Sequence, residues 1–113
     1  MADAIGALDA LDRDAVMGRM AEELPGIRKT LNVKPEDFAD KIGMDPDRLK
    51  DIENGKQKMI WSEYMSILFV IWNNNVGRGI LDKKGLFPDA LKKAMSVNRN
   101  AHPPVTESTK LGF

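Results

Sequence analysis

The sequence of 113 residues lacks cysteine altogether and contains a single histidine. Without thiols the chain has no disulfide bond, no thiolate metal site and no cysteine-based redox chemistry, and it suits a reducing compartment such as the cytoplasm. The one histidine, His102, stands next to Pro103 in a polar segment, which gives no support to a catalytic base or a histidine metal site. We therefore expect neither an enzyme nor a protein that holds a metal or a cofactor.

The sequence also has no surplus of basic residues and no long hydrophobic run. A net charge of +0 argues against indiscriminate coating of nucleic acid, because that mode of binding depends on neutralising phosphates. The longest apolar run, from Met65 to Trp72, is too short to span a bilayer, and residues 1–12 carry acids where a signal peptide needs basic side chains. A cytoplasmic protein without a membrane partner is expected.

The chain does contain enough apolar material for one folded domain, since hydrophobic residues make up 42% of it and charged residues 30%. The charge is polarised along the chain: residues 1–23 hold two basic and six acidic side chains, whereas residues 74–113 hold seven basic and three acidic ones. We predict a flexible N-terminus over 1–11, a folded domain over 12–75, a linker with a last helix over 76–96, and a flexible tail over 97–113.

A first helix is predicted over residues 12–24, where apolar side chains recur every three or four positions. Pro25 and Gly26 follow at once. A proline inside a helix removes one backbone hydrogen bond, so either a kink or the start of a new helix is expected there. Ile27 and Leu31 then continue the apolar face.

Two short helices are predicted next, separated by a tight turn. Pro35 suits the first position of a helix, and Gly43 suits the position after the last turn because glycine readily adopts positive φ. Asp45 is a good N-cap and Pro46 another good first residue, so the third helix is predicted to end near Glu53.

A fourth helix is predicted from a cap at Ser62 to about Asn73, and it is apolar nearly all round. Such a helix is normally the buried centre of a domain, or it is covered on its second side by another chain. Trp72, near its end, is accordingly interpreted either as core or as part of a self-association surface.

The remaining chain is predicted to contain one more helix. Residues 73–79 hold three asparagines and two glycines, and we interpret them as a linker. Phe87 and Pro88 introduce a last helix to about Met95. Its inner side is expected to carry Leu86, Leu91 and Met95.

The most specific pattern is the pair of segments Phe38–Met44 (FADKIGM) and Leu49–Lys56 (LKDIENGK). Together they resemble the helix-turn-helix core of the Xre family, which includes phage repressors and Cro proteins, and the resemblance extends over about residues 24–72. It implies an all-α fold, a five- or six-helix bundle of the phage-repressor (lambda repressor-like) helix-turn-helix DNA-binding type. In such a core Ala39 lets the second and third helices approach closely, and Gly43 makes the turn.

The resemblance implies a sequence-specific transcriptional regulator that places its third helix, about 46–53, in the major groove of an operator in double-stranded DNA. It also implies a homodimer. The residues implied to face bases are Pro46, Asp47, Lys50 and Asp51, with Arg48 reaching a base or a phosphate. The residues implied to hold the DNA backbone are Lys34, Pro35, Asn54, Lys56, Gln57 and Lys58.

An ion pair is also implied by the resemblance. In that family an arginine of the first helix often pairs with the glutamate of the Glu-Asn-Gly segment, and the matching positions here are Arg28 and Glu53. Its role would be structural, holding the first helix against the end of the third. Loss of one partner should then cost more than the pair contributes.

An alternative function follows from the acidic residues of the third helix. Many members of the family carry Gln, Ser, Thr or Arg where this chain has Pro46, Asp47 and Asp51. The alternative is a non-enzymatic protein-interaction module, antitoxin-like or a phage adaptor, that keeps the fold without base readout. If the protein does bind DNA, a basic segment is expected to add phosphate contacts: Lys83, Lys84, Lys92 and Lys93.

Regulation is expected to come from outside the domain. About forty residues follow the fourth helix, which is too few for a separate sensory domain. Control by concentration or by a partner is therefore expected rather than control by a built-in ligand pocket.

Overall fold

A computed structural model describes residues 12–96, which form six helices and no strand. The helices are α1 (Arg13–Thr30), α2 (Pro35–Ile42), α3 (Pro46–Glu53), α4 (Trp61–Trp72), α5 (Asn75–Lys84) and α6 (Asp89–Met95). The prediction of an all-α fold is confirmed for this part of the chain. The predicted flexible ends at 1–11 and 97–113, and His102, lie outside the described residues. None of the described helices is both long and apolar enough to cross a membrane.

Every helix contributes to one apolar core. The side chains that are essentially inaccessible to solvent include Met20, Leu24, Phe38, Leu49, Tyr64, Ile67, Leu81 and Leu91. No charged side chain is fully buried among residues 12–96, so the core is held by apolar packing, while the ion pairs lie at its edge. The last two helices therefore belong to the same core as the first four.

The helix α1 continues through Pro25, and the alternative of a new helix start there is wrong. Its buried side chains form one stripe on both sides of the proline: Val16, Met20, Leu24 and Ile27. Each fully buried aliphatic side chain contributes about 1.5–3 kcal/mol, whereas an interior proline costs about 3 kcal/mol. Burial of the whole stripe thus outweighs the hydrogen bond lost at Pro25.

The two short helices have the predicted bounds, and local chemistry explains them. Gly43 ends α2 in the left-handed region, at φ +69°, and the N–H of Met44 donates to the carbonyl oxygen of Ala39 at 2.9 Å. One residue further on, the carboxylate of Asp45 accepts hydrogen bonds from the N–H groups of Asp47 and Arg48 at 3.0 and 3.3 Å. The turn is therefore capped on both sides.

The helix α4 starts earlier than expected, since the predicted cap at Ser62 is wrong and the helix begins at Trp61. The N–H of Ile60 donates to the Glu63 carboxylate at 2.9 Å. An amide left over at a helix N-terminus needs one acceptor, and Glu63 supplies it from inside the first turn. No hydroxyl cap is then required.

The predicted linker over 73–79 is also wrong, because the chain enters α5 at Asn75. The side-chain oxygen of Asn74 caps this helix by accepting from the N–H of Gly77 at 2.9 Å. Gly77 is buried, and a β-carbon on it would lie 2.3 Å from the carbonyl oxygen of Ile71. This glycine is thus a point of close approach between α4 and α5.

The C-terminal helix packs mostly as predicted. Leu86 and Leu91 are buried, whereas Met95 is 50% exposed and does not belong to the inner side. The hydroxyl of Tyr64 donates to the Leu86 carbonyl oxygen at 2.6 Å, which ties the turn before α6 to the first turn of α4. Trp72 is half-buried and meets Phe87 edge to face, with ring centroids 5.2 Å apart.

Candidate nucleic-acid interface

The helix α3 has one buried side and one open side. Leu49 and Ile52 are 0% and 1% exposed and fix the helix to the core. Pro46, Asp47 and Lys50 are exposed, and no other part of residues 12–96 covers them. The outer side of α3 can therefore meet a partner without any rearrangement of the described chain.

The eleven residues predicted to contact DNA lie at the start of α2, along α3 and in the loop that follows α3. Nine of them are exposed: Lys34, Pro35, Pro46, Asp47, Lys50, Asn54, Lys56, Gln57 and Lys58. The other two, Arg48 and Asp51, are half-buried. Because α2 and α3 pack against each other, the three segments belong to one compact part of the molecule.

The expected ion pair between Arg28 and Glu53 is present and anchors the end of α3. The guanidinium donates from Nε to Oε2 at 2.7 Å and from Nη2 to Oε1 at 2.6 Å, a two-bond arrangement. The side chains are 13% and 8% exposed. The hydrogen bonds to Glu53 raise the pKa of Arg28 above its already high ordinary value, so its guanidinium group carries a positive charge at neutral pH.

Arg48 forms a second anchor that the sequence did not reveal. Its Nε and Nη2 donate to the Glu63 carboxylate at 3.1 and 3.0 Å, and Nη2 also donates to the carbonyl oxygen of Lys58 at 3.0 Å. The hydrogen bond from Arg48 lowers the pKa of Glu63. Arg48 thus joins α3 to the start of α4 and to the loop between them, and its guanidinium is not free for a base.

Glu63 is a residue of this site that could not be predicted from the sequence, and its carboxylate accepts hydrogen bonds from two groups. It accepts from the N–H of Ile60 within its own helix and from Arg48 of α3. The first contact leaves a sequence signal, an acid in the first turn of a helix. The contact with Arg48 leaves none, since the two residues are 15 positions apart.

The charge of the open side is balanced. The segment 45–58 holds four basic and four acidic side chains. Glu53 and Arg48 are each neutralised by a partner outside the segment, Arg28 and Glu63. Three lysines and three aspartates of the segment then remain: Lys50, Lys56, Lys58, Asp45, Asp47 and Asp51.

The basic segment near the C-terminus is partly engaged within the fold. Lys84 pairs with Glu23 at 3.1 Å, and Lys92 pairs with Asp82 at 3.2 Å. Lys83 and Lys93 are exposed. Half of the predicted set of phosphate-binding lysines is therefore held by carboxylates of the chain itself.

Comparison with known proteins adds no further identification. No family model, no curated protein and no solved structure matches the chain. Within residues 12–96 there is likewise no group of three or more carboxylate, histidine or cysteine side chains arranged to hold a metal ion. The site is therefore interpreted from its own geometry and charge.

Proposed function

We propose that this protein is a sequence-specific, double-stranded-DNA-binding transcriptional regulator of the phage-repressor helix-turn-helix type, which inserts the outer side of α3 into the major groove. The observation that carries the proposal is the two-sidedness of α3. Leu49 and Ile52 are buried, whereas Pro46, Asp47 and Lys50 are exposed. An exposed helix held by its opposite side is the arrangement that major-groove readers of this type use.

The anchoring of α3 at both ends supports the proposal. The Arg28–Glu53 pair holds its C-terminal end, and the Arg48–Glu63 pair holds its first turns. A binding helix whose position is already set loses little conformational freedom when it meets its ligand. We therefore assign Arg48 to positioning α3 rather than to reading a base.

Base readout then depends on the exposed side chains of α3. Lys50 can donate to guanine O6 and N7, and Asp47 can accept from the N4 amino group of cytosine. Lys56 and Lys58 lie in the loop after α3, are exposed, and can neutralise phosphates of the DNA backbone. The start of α2 adds Lys34 and the N–H groups of a helix N-terminus, which favour phosphate.

We further propose that two copies bind one operator. Three lysines against three aspartates in the segment 45–58 make binding by one copy weak, and a second copy on a two-fold site would multiply the gain. The described chain leaves Phe69 of α4 69% exposed and Val76 of α5 56% exposed. We propose that the second copy covers these two side chains, because removing large apolar groups from water is favourable.

The proposed function is tested by selecting bound fragments from random double-stranded DNA with the purified protein. We expect one enriched sequence with two-fold symmetry. Lys50→Ala should relax the base preference at one position of the operator and weaken binding to it about 5- to 150-fold. Lys56→Ala should weaken binding to all DNA sequences equally and reduce the salt dependence of binding by about one phosphate contact.

Lys29→Ala is the matched control, because Lys29 is an exposed lysine on the last turn of α1 and is not among the eleven candidate residues. It should leave the selected sequence unchanged. Absence of any enriched sequence at low salt, or enrichment that survives Lys50→Ala and Lys56→Ala together, would refute DNA reading by this surface.

The second candidate is a protein-interaction module, and the charge balance of the open side favours it. Asp47 is exposed near the N-terminus of α3, where it repels phosphate and would suit a basic partner. Under this function the selection yields no sequence. Asp47→Asn also distinguishes the two functions. It should strengthen non-specific DNA binding if DNA is the ligand, and DNA binding should stay absent if the ligand is a protein.

A further inference from the structure

A cleft of about 340 Å³ lies between the outer side of α1 and the segment 52–59, which includes the end of α3 and the loop after it. Its walls are largely apolar. Met17, Gly18 and Ala21 line it from α1, and Ile52 and Met59 line it from the other side. A β-carbon built on Gly18 meets no atom within 4 Å, so the space beside α1 is open.

The rim of the cleft is acidic on the α1 side. Asp14 and Glu22 are both exposed, and neither forms an ion pair with another residue between 12 and 96. Glu53 also lines the cleft but is neutralised by Arg28. Lys58 supplies one positive charge, so the rim carries a net charge of about minus one.

We propose that this cleft binds a small organic monocation, a molecule with an apolar or aromatic body and one ammonium group. The volume lies at the lower end of the range for small-molecule sites, which excludes a large ligand. The thioethers of Met17 and Met59 suit an aromatic body, because sulfur packs favourably against ring edges. The ammonium group stays hydrated at the rim, where Asp14 and Glu22 attract it and disfavour an anion.

This site supplies the built-in pocket that the length of the chain did not lead us to expect, and it adjoins the proposed DNA interface. Gln57 and Lys58 line the cleft and also belong to the candidate phosphate-binding set. Occupation of the cleft is therefore expected to change the affinity for DNA. This second part rests on the proposed function, whereas binding in the cleft does not.

Binding is measured without DNA, by the NMR signals of ¹³C-labelled methionine methyl groups. The probe is 2-phenylethylammonium, and 3-phenylpropanoate serves as the anion of similar size and shape. We expect the cation to shift the signals of Met17 and Met59 and to leave that of Met65, outside the cleft, in place. The anion should bind about fivefold more weakly or worse, a preference that the double variant Asp14→Asn/Glu22→Gln should remove.

Gly18→Leu tests the location, because the leucine side chain enters the open space of the cleft. It should abolish the shifts while the helical circular dichroism is kept. Gly26→Leu is the matched control: it places the same side chain on the same helix, where a β-carbon also meets nothing within 4 Å, away from the cleft. Absence of shifts at Met17 and Met59 with about 10 mM cation, equal binding of the anion, or full binding by Gly18→Leu would each overturn the site.

The coupling is measured by fluorescence anisotropy with the selected operator, with and without 2-phenylethylammonium. A change in Kd of about threefold or more in the parent chain, absent in Gly18→Leu, is expected. An unchanged Kd overturns the coupling. If selection yields no operator, the proposed function and the coupling both fail, and the NMR measurement still decides the binding site.

Discussion

Replacing Arg28 with methionine removes one partner of the most buried ion pair among residues 12–96 and keeps most of the volume of the side chain. Glu53, 8% exposed, would lose both of its short hydrogen bonds, and its carboxyl group would lie at the edge of the core without a partner. A broken buried pair costs about 3–5 kcal/mol, and the residual exposure of Arg28 puts the expected loss near the lower value. In a domain of this size 3 kcal/mol lowers Tm by about 12 °C or more.

The magnitude is checked by thermal and urea unfolding of the parent chain, of Arg28→Met, of Glu53→Met and of the double variant. Removing both partners leaves no unpaired charge, so the double variant should be more stable than either single variant. Arg48→Met is the comparison for a more exposed pair and should lower Tm by less than Arg28→Met. An unchanged Tm in Arg28→Met, or single effects that simply add in the double variant, would show that the pair does not anchor α3.

Two other predictions concern the packing of the C-terminal helices. Gly77→Ala should destabilise the protein by about 1–3 kcal/mol, because the new methyl group meets the carbonyl oxygen of Ile71, whereas Gly79→Ala, in open space on the same helix, should be neutral or stabilising by up to about 1 kcal/mol. Equal effects of the two substitutions in urea unfolding would contradict the close approach. Burial raises the pKa of Tyr64 to about 12, so its contribution to stability is complete below about pH 10 and is lost as the pH rises through 12. The rise in absorbance at 295 nm with pH reports the ionisation of this tyrosine alone, since the chain has no other tyrosine and tryptophan does not titrate, and titration near pH 10 in the folded protein would contradict its burial. Tyr64→Phe should cost about 1–3 kcal/mol by leaving the Leu86 carbonyl without its donor, and should flatten the loss of stability above pH 10.

The bounds of α2 and α3 could be predicted because their signals are local. Pro35, Gly43, Asp45 and Pro46 act through the backbone within a few residues of themselves. A cap or a positive φ is needed whatever else the chain does. The exposure of most of the candidate residues on α3 could be predicted as well. The apolar residues Leu49 and Ile52 are three positions apart and face the core, so the polar residues between and before them face outward.

Two of the expectations failed where packing between or along helices decides the structure. Residues 73–79 have the composition of a linker, yet α5 begins within them. The helix forms there because Gly77, which has no side chain, allows it to lie against Ile71. Pro25 has the signature of a helix break, yet burial of the stripe on both sides of it keeps α1 continuous. Propensities describe the isolated chain, and packing of an amphipathic face overrides them.

The sequence by itself determined the all-helical class of residues 12–96, the turn between α2 and α3, and which side of α3 is apolar. Only the tertiary structure decided that Arg48 pairs with Glu63, that residues 75–96 complete the core, and that a cleft opens beside Gly18. The reason is that caps, turns and periodicity act over one or two helical turns. Ion pairs, close approaches and cavities depend on residues that only folding brings together.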